Sequence, residues 1–325
     1  MSELQALLAR FEGLCPPSAS LPPFVAQAGE GGPFHVVLCC MTHGDETGSL
    51  PAAIALLESL QKGTRRFAGR LSVVLGNPPA ARLGRRFGQA DLNRVFLPGP
   101  PSWERSRAAE LMPLLDQADL VVDLHQTIEA TAQPFHIHPW SPVLEQWAQV
   151  LQGAQDWVTR PMGESFATGT CCLDEYVRDQ GKAALTIELS QKGMRPQTTA
   201  LALAVMDRAL DAAEAILSGS DLGNMTSGAT KMRLWRTSHK QPYASAELRL
   251  RAGLRNFEPV QAGELLSAPG TSELRAPCPG VLLFPKYPPR DAAGQIDGPL
   301  PVDIFRVLTP LRQHPLALGW PTGAP

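Results

Sequence analysis

Along the first two-thirds of the chain, apolar and polar positions follow two alternating rhythms, one of strands and one of helices. Residues 34–40 and 71–76 are short apolar, β-branched runs, the second closed by Asn77-Pro-Pro79. Between them, apolar residues at 50, 53, 54, 57 and 60 keep a helical period. Further strands are predicted at 119–124, 134–138 and 184–189, and further helices at 103–117, 141–152, 171–180 and 198–217. Ser102 is placed to cap the helix at 103, and Gly181 to close the helix at 171–180. Strands apolar on both faces and separated by helices predict an α/β protein. Its mostly parallel or mixed sheet is flanked by helices.

The rhythm breaks at Ser218-Gly-Ser-Asp-Leu-Gly-Asn-Met-Thr-Ser-Gly228, a linker by composition. Beyond it Arg249 and Arg251 alternate with apolar residues. Turns recur at Gly253, Gly263, Pro269-Gly270, Pro277 and Pro279-Gly280. The expected division is an α/β domain over 1–217, a linker over 218–230 and a smaller all-β domain over 231–325. Two domains suit 325 residues.

Charge narrows the partners. Lys plus Arg total 29 and Asp plus Glu 31, a net charge of −2. That balance argues against nucleic acid or a membrane held by bulk electrostatics, and leaves a small-molecule partner. No stretch approaches the roughly 20 apolar residues of a membrane span. The opening Met-Ser-Glu-Leu-Gln carries an early acid and no basic region, unlike a secretory signal. The six cysteines include the adjacent pairs Cys39-Cys40 and Cys171-Cys172 and no CxxC. They read as reduced, small apolar residues of a cytoplasmic protein. Homo-oligomerisation is left open.

Ligands of open α/β sheets bind beyond the carboxyl ends of the strands. Three predicted strand ends carry ionisable residues there: Met41-Thr-His43-Gly-Asp-Glu46, Asp123-Leu-His125-Gln-Thr127 and Thr186-Ile-Glu188-Leu-Ser190. Two histidines and a carboxylate are a known catalytic zinc set, and nitrogen plus carboxylate ligands suit zinc. His43, Glu46 and His125 are the expected ligands of one ion. Glu188 is the expected general base, a carboxyl near a low-dielectric pocket. Asp123 is placed to orient a histidine. A second cluster, Arg85-Arg86-Phe87 and Asp91-Leu-Asn93-Arg94-Val-Phe96, adds guanidinium forks suited to carboxylates. There Asp91 reads as a brace for the loop. The competing interpretation is structural: strand-end histidines held by hydrogen bonds, a paired carboxylate at 188 and a solvated basic loop.

His43-Gly-Asp-Glu46, Asn77-Pro-Pro-Ala80, Arg86-Phe87, Asp91-Leu-Asn-Arg94, Asp123-Leu-His125 and Ile187-Glu188 stand in the order of a known family. The sequence resembles the succinylglutamate desuccinylases and aspartoacylases, whose fold is similar to that of the zinc carboxypeptidases. The resemblance implies one zinc ion on His43, Glu46 and His125, with Glu188 as base and proton shuttle. It implies that Arg86 stabilises the oxyanion and that Asn93 and Arg94 hold a substrate carboxylate. Arg178 matches by spacing a further carboxylate-binding arginine, against the alternative of an exposed helical residue. Tyr287 is the nearest counterpart of a late substrate-binding tyrosine. The segment Ala276-Pro-Cys-Pro-Gly280-Val-Leu resembles the hairpin of biotinyl/lipoyl-like barrels. The expected activity is zinc-dependent release of an acyl group from an N-acyl amino acid or similar small amide. The alternatives are a metallocarboxypeptidase acting on peptide C-termini and a zinc-free binding protein of the same fold.

Overall fold

The computed structural model of the protein describes residues 2–15, 21–291, 296 and 300–322. The chain opens with α1 (Glu3–Leu14) and β1 (Val25–Ala28), followed by β2 (His35–Cys40), α2 (Leu50–Gln61), β3 (Arg70–Leu75) and the short α3 (Pro78–Arg82). Then come α4 (Trp103–Leu115), β4 (Leu120–Thr127), β5 (Phe135–Ile137), α5 (Pro142–Leu151) and β6 (Asp156–Val158). Next are α6 (Leu173–Arg178), β7 (Ala183–Gln191), α7 (Pro196–Leu217) and α8 (Leu222–Met225). The last third holds β8 (Arg233–Pro242), β9 (Pro259–Val260), β10 (Gly280–Leu283) and β11 (Asp303–Pro310).

The strands join one sheet in the order β1-β3-β2-β4-β7-β5-β6-β8-β11-β10-β9. Its centre is parallel: β3, β2, β4 and β7 run side by side in one direction. β5 pairs antiparallel to β7, so the sheet is mixed, as expected. β6 pairs parallel with β8 and carries the sheet into the antiparallel ladders β8-β11 and β11-β10. α7 ends at Leu217 and β8 begins at Arg233, with α8 between them in the glycine- and serine-rich stretch. Among the described residues no helix is long and apolar enough to cross a membrane.

Side-chain alternation sends each central strand into two cores. Val36, Leu38 and Cys40 of β2, with Val122 and Leu124 of β4 and Leu185 and Ile187 of β7, meet α1, α2, α5 and α7 on one face. Val37 and Cys39, Val121 and Ala184 meet α4 and α6 on the other. On that second face the apolar positions stop partway along the strands. The next two same-face positions are Asp123 and His125 on β4, and Thr186 and Glu188 on β7. The second core thus grades into a polar rim at the carboxyl ends of the strands.

Several caps are visible in the sequence. Ser102 accepts from the Arg105 amide at 3.1 Å, as expected for the start of α4. Ser2 and Gln5 exchange hydrogen bonds in a capping box that starts α1. The β-rich third has its own core around Leu250, Leu266, Phe305 and Val307. A second cluster ties it to β5 and β6 through Phe135, Ile137, Val158, Phe257 and Leu308.

Candidate metal centre

β2 ends at Cys40, and Met41 turns the chain off the sheet with a left-handed backbone, φ 53°. For a side chain of this size that conformation is strained, and it stands directly before the ionisable loop. Thr42 Oγ1 donates to Asp123 Oδ1 at 2.8 Å, and the Gly44 amide donates to Arg86 O at 2.9 Å. A Cβ at position 44 would lie 2.6 Å from both Arg85 O and Ala80 C, so the loop needs glycine to pack this closely.

The loop delivers His43 and Glu46 to His125 of β4. Among the described residues these three form the one group of His, Cys, Asp or Glu that could share an ion, with ligand atoms within 4.8 Å of one another. Their side chains are buried. The two imidazoles face each other through Nδ1, 3.1 Å apart. Glu46 sits between them, with Oε1 2.8 Å from His43 Nδ1 and Oε2 2.8 Å from His125 Nδ1. The Gln126 amide also donates to Glu46 Oε2, at 2.9 Å.

The outer nitrogens are held by other groups. His125 Nε2 lies 2.7 Å from Asp123 Oδ2, and His43 Nε2 lies 3.0 Å from Asp91 Oδ1. A carboxylate at Nε2 fixes the ring and enriches the electron density at Nδ1, the usual arrangement behind a metal-binding histidine. Arg86 completes the rim. Its Nη1 donates to Glu46 Oε1 at 2.8 Å, and its Nη2 lies 2.7 Å from His43 Nε2.

Burial opposes charge on every group here, and the neighbours decide which charges persist. At Glu46 burial acts against ionisation, but His43 and His125 outweigh it and hold the carboxyl well below its usual range. Burial likewise disfavours protonated His125, yet Asp123 and Glu46 lift its pKa well above the ordinary imidazole value. Asp91 is driven low by His43 and Arg86 against the cost of its burial. Glu188 goes the other way. Burial first, and then the charge of Glu46, push its carboxyl up to about 7. It is the register partner of His125 across the β4–β7 ladder, and its Oε2 is buried without a hydrogen-bond partner.

Glu104, in the first turn of α4, organises the basic loop. Its carboxylate accepts from the amides of Gly88, Gln89 and Ala90 and from Asn77 Nδ2, at 2.7 to 3.3 Å. The stretch between Arg86 and Asp91 is therefore pinned to α4. Sequence analysis gave Glu104 no role at the site, yet it is 1% exposed. Its place in a capped first helical turn was the available signal. Gln126 was also missed: its side chain accepts from the Gly48 amide and donates to Gln191 O, tying the ligand loop to β7.

The remaining expected site residues divide. Asn93 lies at the cluster, its Nδ2 3.3 Å from His125 Nε2 and its Oδ1 accepting from the Leu173 amide at 2.8 Å. Arg94 points away from the histidines, donating to Cys172 Sγ at 3.2 Å and placing its guanidinium 4.8 Å from the Phe166 ring centre. Arg178 is buried rather than exposed. It pairs with Asp174 one helical turn earlier and donates to Ala184 O, and the hydrogen bonds and ion pairs of the histidine cluster do not include it. Tyr287 belongs to the β-rich third, where its hydroxyl accepts from the Leu254 amide and donates to Arg251 O. Its hydrogen bonds are thus spent within a loop core.

A helix-flanked mixed sheet with two histidines and a glutamate gathered at its strand ends defines a class of α/β proteins whose rim could hold a metal ion. The succinylglutamate desuccinylase/aspartoacylase catalytic domain matches residues 34–213. The chain belongs to that family. It is 30% identical over 274 residues to the succinylglutamate desuccinylase of Serratia proteamaculans, covering 76% of this chain and 81% of the relative. The solved succinylglutamate desuccinylase of Vibrio parahaemolyticus superposes with a TM-score of 0.67 at 15% identity, covering 89% of this chain and 87% of that one. Murine aminoacylase 3 does so at 0.61 and 20% identity, covering 86% and 96%. At such identities these structural likenesses speak to the fold alone.

Proposed function

We propose that this protein is a zinc-dependent amide hydrolase that releases the acyl group of an N-acyl amino acid or a similar small carboxylate-bearing amide. One observation carries the reading. His43, Glu46 and His125 converge within 4.8 Å beside Glu188, a buried carboxyl with one oxygen left free. The donor set fits zinc: two imidazole nitrogens and a carboxylate, with both outer nitrogens braced by acids. Bound there, zinc would supply a Lewis acid that polarises the amide carbonyl and acidifies a water molecule.

The chain's own residues do the remainder. Glu188 takes the proton of the attacking water and returns it to the leaving nitrogen, a task suited to a carboxyl titrating near neutrality. Arg86, at the edge of the cluster, presents its guanidinium to the negative charge that develops on the carbonyl oxygen. Asn93 and Arg94 hold a carboxylate of the substrate, and Asp91 and Glu104 keep their loop in register. Family membership supports a deacylase, and the relatives' names, a desuccinylase and an aminoacylase, leave the acyl group open.

The test is a release assay across N-succinyl, N-acetyl and N-formyl amino acids, with short peptides as a carboxypeptidase control. Glu188→Ala is expected to keep its metal by elemental analysis and to lose about 10²- to 10⁴-fold in turnover. Unchanged turnover would reject the role of Glu188. Release from peptides alone would reject the deacylase.

A further inference from the structure

A cavity of about 400 Å³ is lined by Arg160, Phe166, Arg236, Lys240 and Arg306, and its Phe166 meets Arg94 of the expected substrate loop. These five lining residues come from the loop after β6, the exposed side of β8, and β11. Phe166 gathers guanidiniums. Arg94 and Arg306 each lie 4.8 Å from its ring centre, and Arg160 lies at 5.8 Å. Two consecutive residues link it to the cluster: Asn93 Nδ2 lies 3.3 Å from His125 Nε2, and Arg94 reaches Phe166.

Like charges packed this closely repel, and a low-dielectric wall strengthens the repulsion. Nearby acids answer only part of it. Glu175 holds Arg160 at 2.6 Å, and Asp303 holds Arg306 at 2.8 Å while also pairing with Lys286. Glu164 adds one more acid to the lining. Among the described residues Arg94, Arg236 and Lys240 form no ion pair. Lys240 responds to these surroundings, burial and the charge of Arg306 holding its ammonium below the ordinary lysine range. The local excess of positive charge contrasts with a chain whose net charge is −2. Guanidinium forks match the planar oxyanion geometry of a carboxylate.

We propose that this cavity is a second anion subsite, which takes a carboxylate carried on an arm of the substrate beyond the scissile amide. The proposal rests on the deacylase reading and adds to it a charge requirement set by Arg160, Arg236, Lys240 and Arg306. The guanidinium of Arg94 lies on the border between this subsite and the metal cluster. Phe166 is the platform that keeps the arginines in place.

The test uses the exposed pair, in the double variant Arg236→Gln/Lys240→Gln, with two charge-matched substrate pairs. N-acetyl-L-glutamate against N-acetyl-L-glutamine probes the amino-acid arm. N-succinyl-L-alanine against its terminal succinyl amide probes the acyl arm. The variant is expected to raise KM about tenfold for the acid member of one pair, leaving its neutral partner within about twofold and kcat unchanged. The affected pair identifies the arm that reaches the cavity. Calorimetric binding of the same four compounds to Glu188→Gln protein, with and without the double substitution, reads the subsite without turnover. Charge-selective binding lost on substitution sustains the subsite even if no acyl amino acid is hydrolysed. Equal effects on acid and neutral members of both pairs, or none, overturn it and leave the deacylase reading intact.

Discussion

Two pairs of buried histidines stand on nearby strands and behave in opposite ways. His43 and His125 meet at the rim, and their four ring nitrogens face Glu46, Asp91, Asp123 and each other. His136 and His138, at β5 and just beyond it, lie 5.7 Å apart between ring centres, edge to face, with His138 4.5 Å from Trp157. Neither nitrogen of His136 has a partner, and His138 keeps only the Pro139 carbonyl. Burial is equal in the two pairs, so burial does not single out a candidate metal site. The carboxylates do: among the described residues three acids surround the first pair and none pairs with the second. Desolvation then acts unopposed on His136 and drives its pKa down to about 3, while at His125 the acids reverse the effect.

The largest expected effect follows directly. His125→Ala should strip the metal and abolish hydrolysis, as elemental analysis and the release assay would record together. His136→Leu, an equally buried change on β5, one strand beyond β7, should keep full metal content and activity within about twofold. If both variants lost metal alike, the carboxylates would not be what separates the pairs.

The rim side of this contrast was legible beforehand, the His136–His138 pair was not, and what escaped has physical causes. The central strands and longer helices announce themselves by period, and the strand-end rule brought His43, Glu46, His125 and Glu188 to one rim without any coordinates. β6, Asp-Trp-Val, is too short to carry a period, and β1 spans four residues. α1 carried a readable capping box in Ser2 and Gln5, yet its segment was weighed only as a possible leader. Arg178 was placed from chain spacing, which says nothing of the direction of a side chain. The acid four residues earlier, Asp174, was the better signal, because an i,i+4 pair on one helix face satisfies itself. Glu104 escaped because an acid in a first helical turn ordinarily faces the dipole and water. Here it turns inward to collect the amides of a loop.

A smaller effect sharpens the role of the outer acids. Asp123 is fully buried and bridges Thr42 Oγ1 and His125 Nε2. Asp123→Asn preserves its shape and removes its charge. Metal affinity should fall about 10- to 100-fold, read by competition with a chelator, while the fold and the three ligands remain. Unaltered affinity would mean that His125 needs no charged brace, and the distinction between the pairs would rest on Glu46 and Asp91.

The smallest effect tests the second pair by its protons. His136 is neutral in the folded protein down to about pH 3, whereas in the unfolded chain it takes a proton near its ordinary pKa of 6.5. The unfolded state therefore binds more protons across this interval. Stability is fully present above pH 6.5 and is lost as the pH falls below it, at up to about 1.4 kcal/mol per pH unit for one such histidine. Between pH 7 and 5.5 His136 should cost about 1.3 kcal/mol, with His138, also driven low by burial, adding to the loss. His125 and Glu188, both held high, bind more protons in the folded state across that window and pull the slope the other way, so the histidine term is read from the variant. Urea unfolding of the unmodified protein and of His136→Leu should change differently between the two pH values, by the share of one histidine, whatever the variant's absolute stability. An unchanged slope would mean that His136 finds a proton partner in the folded state, and the two pairs would then differ in degree rather than in kind.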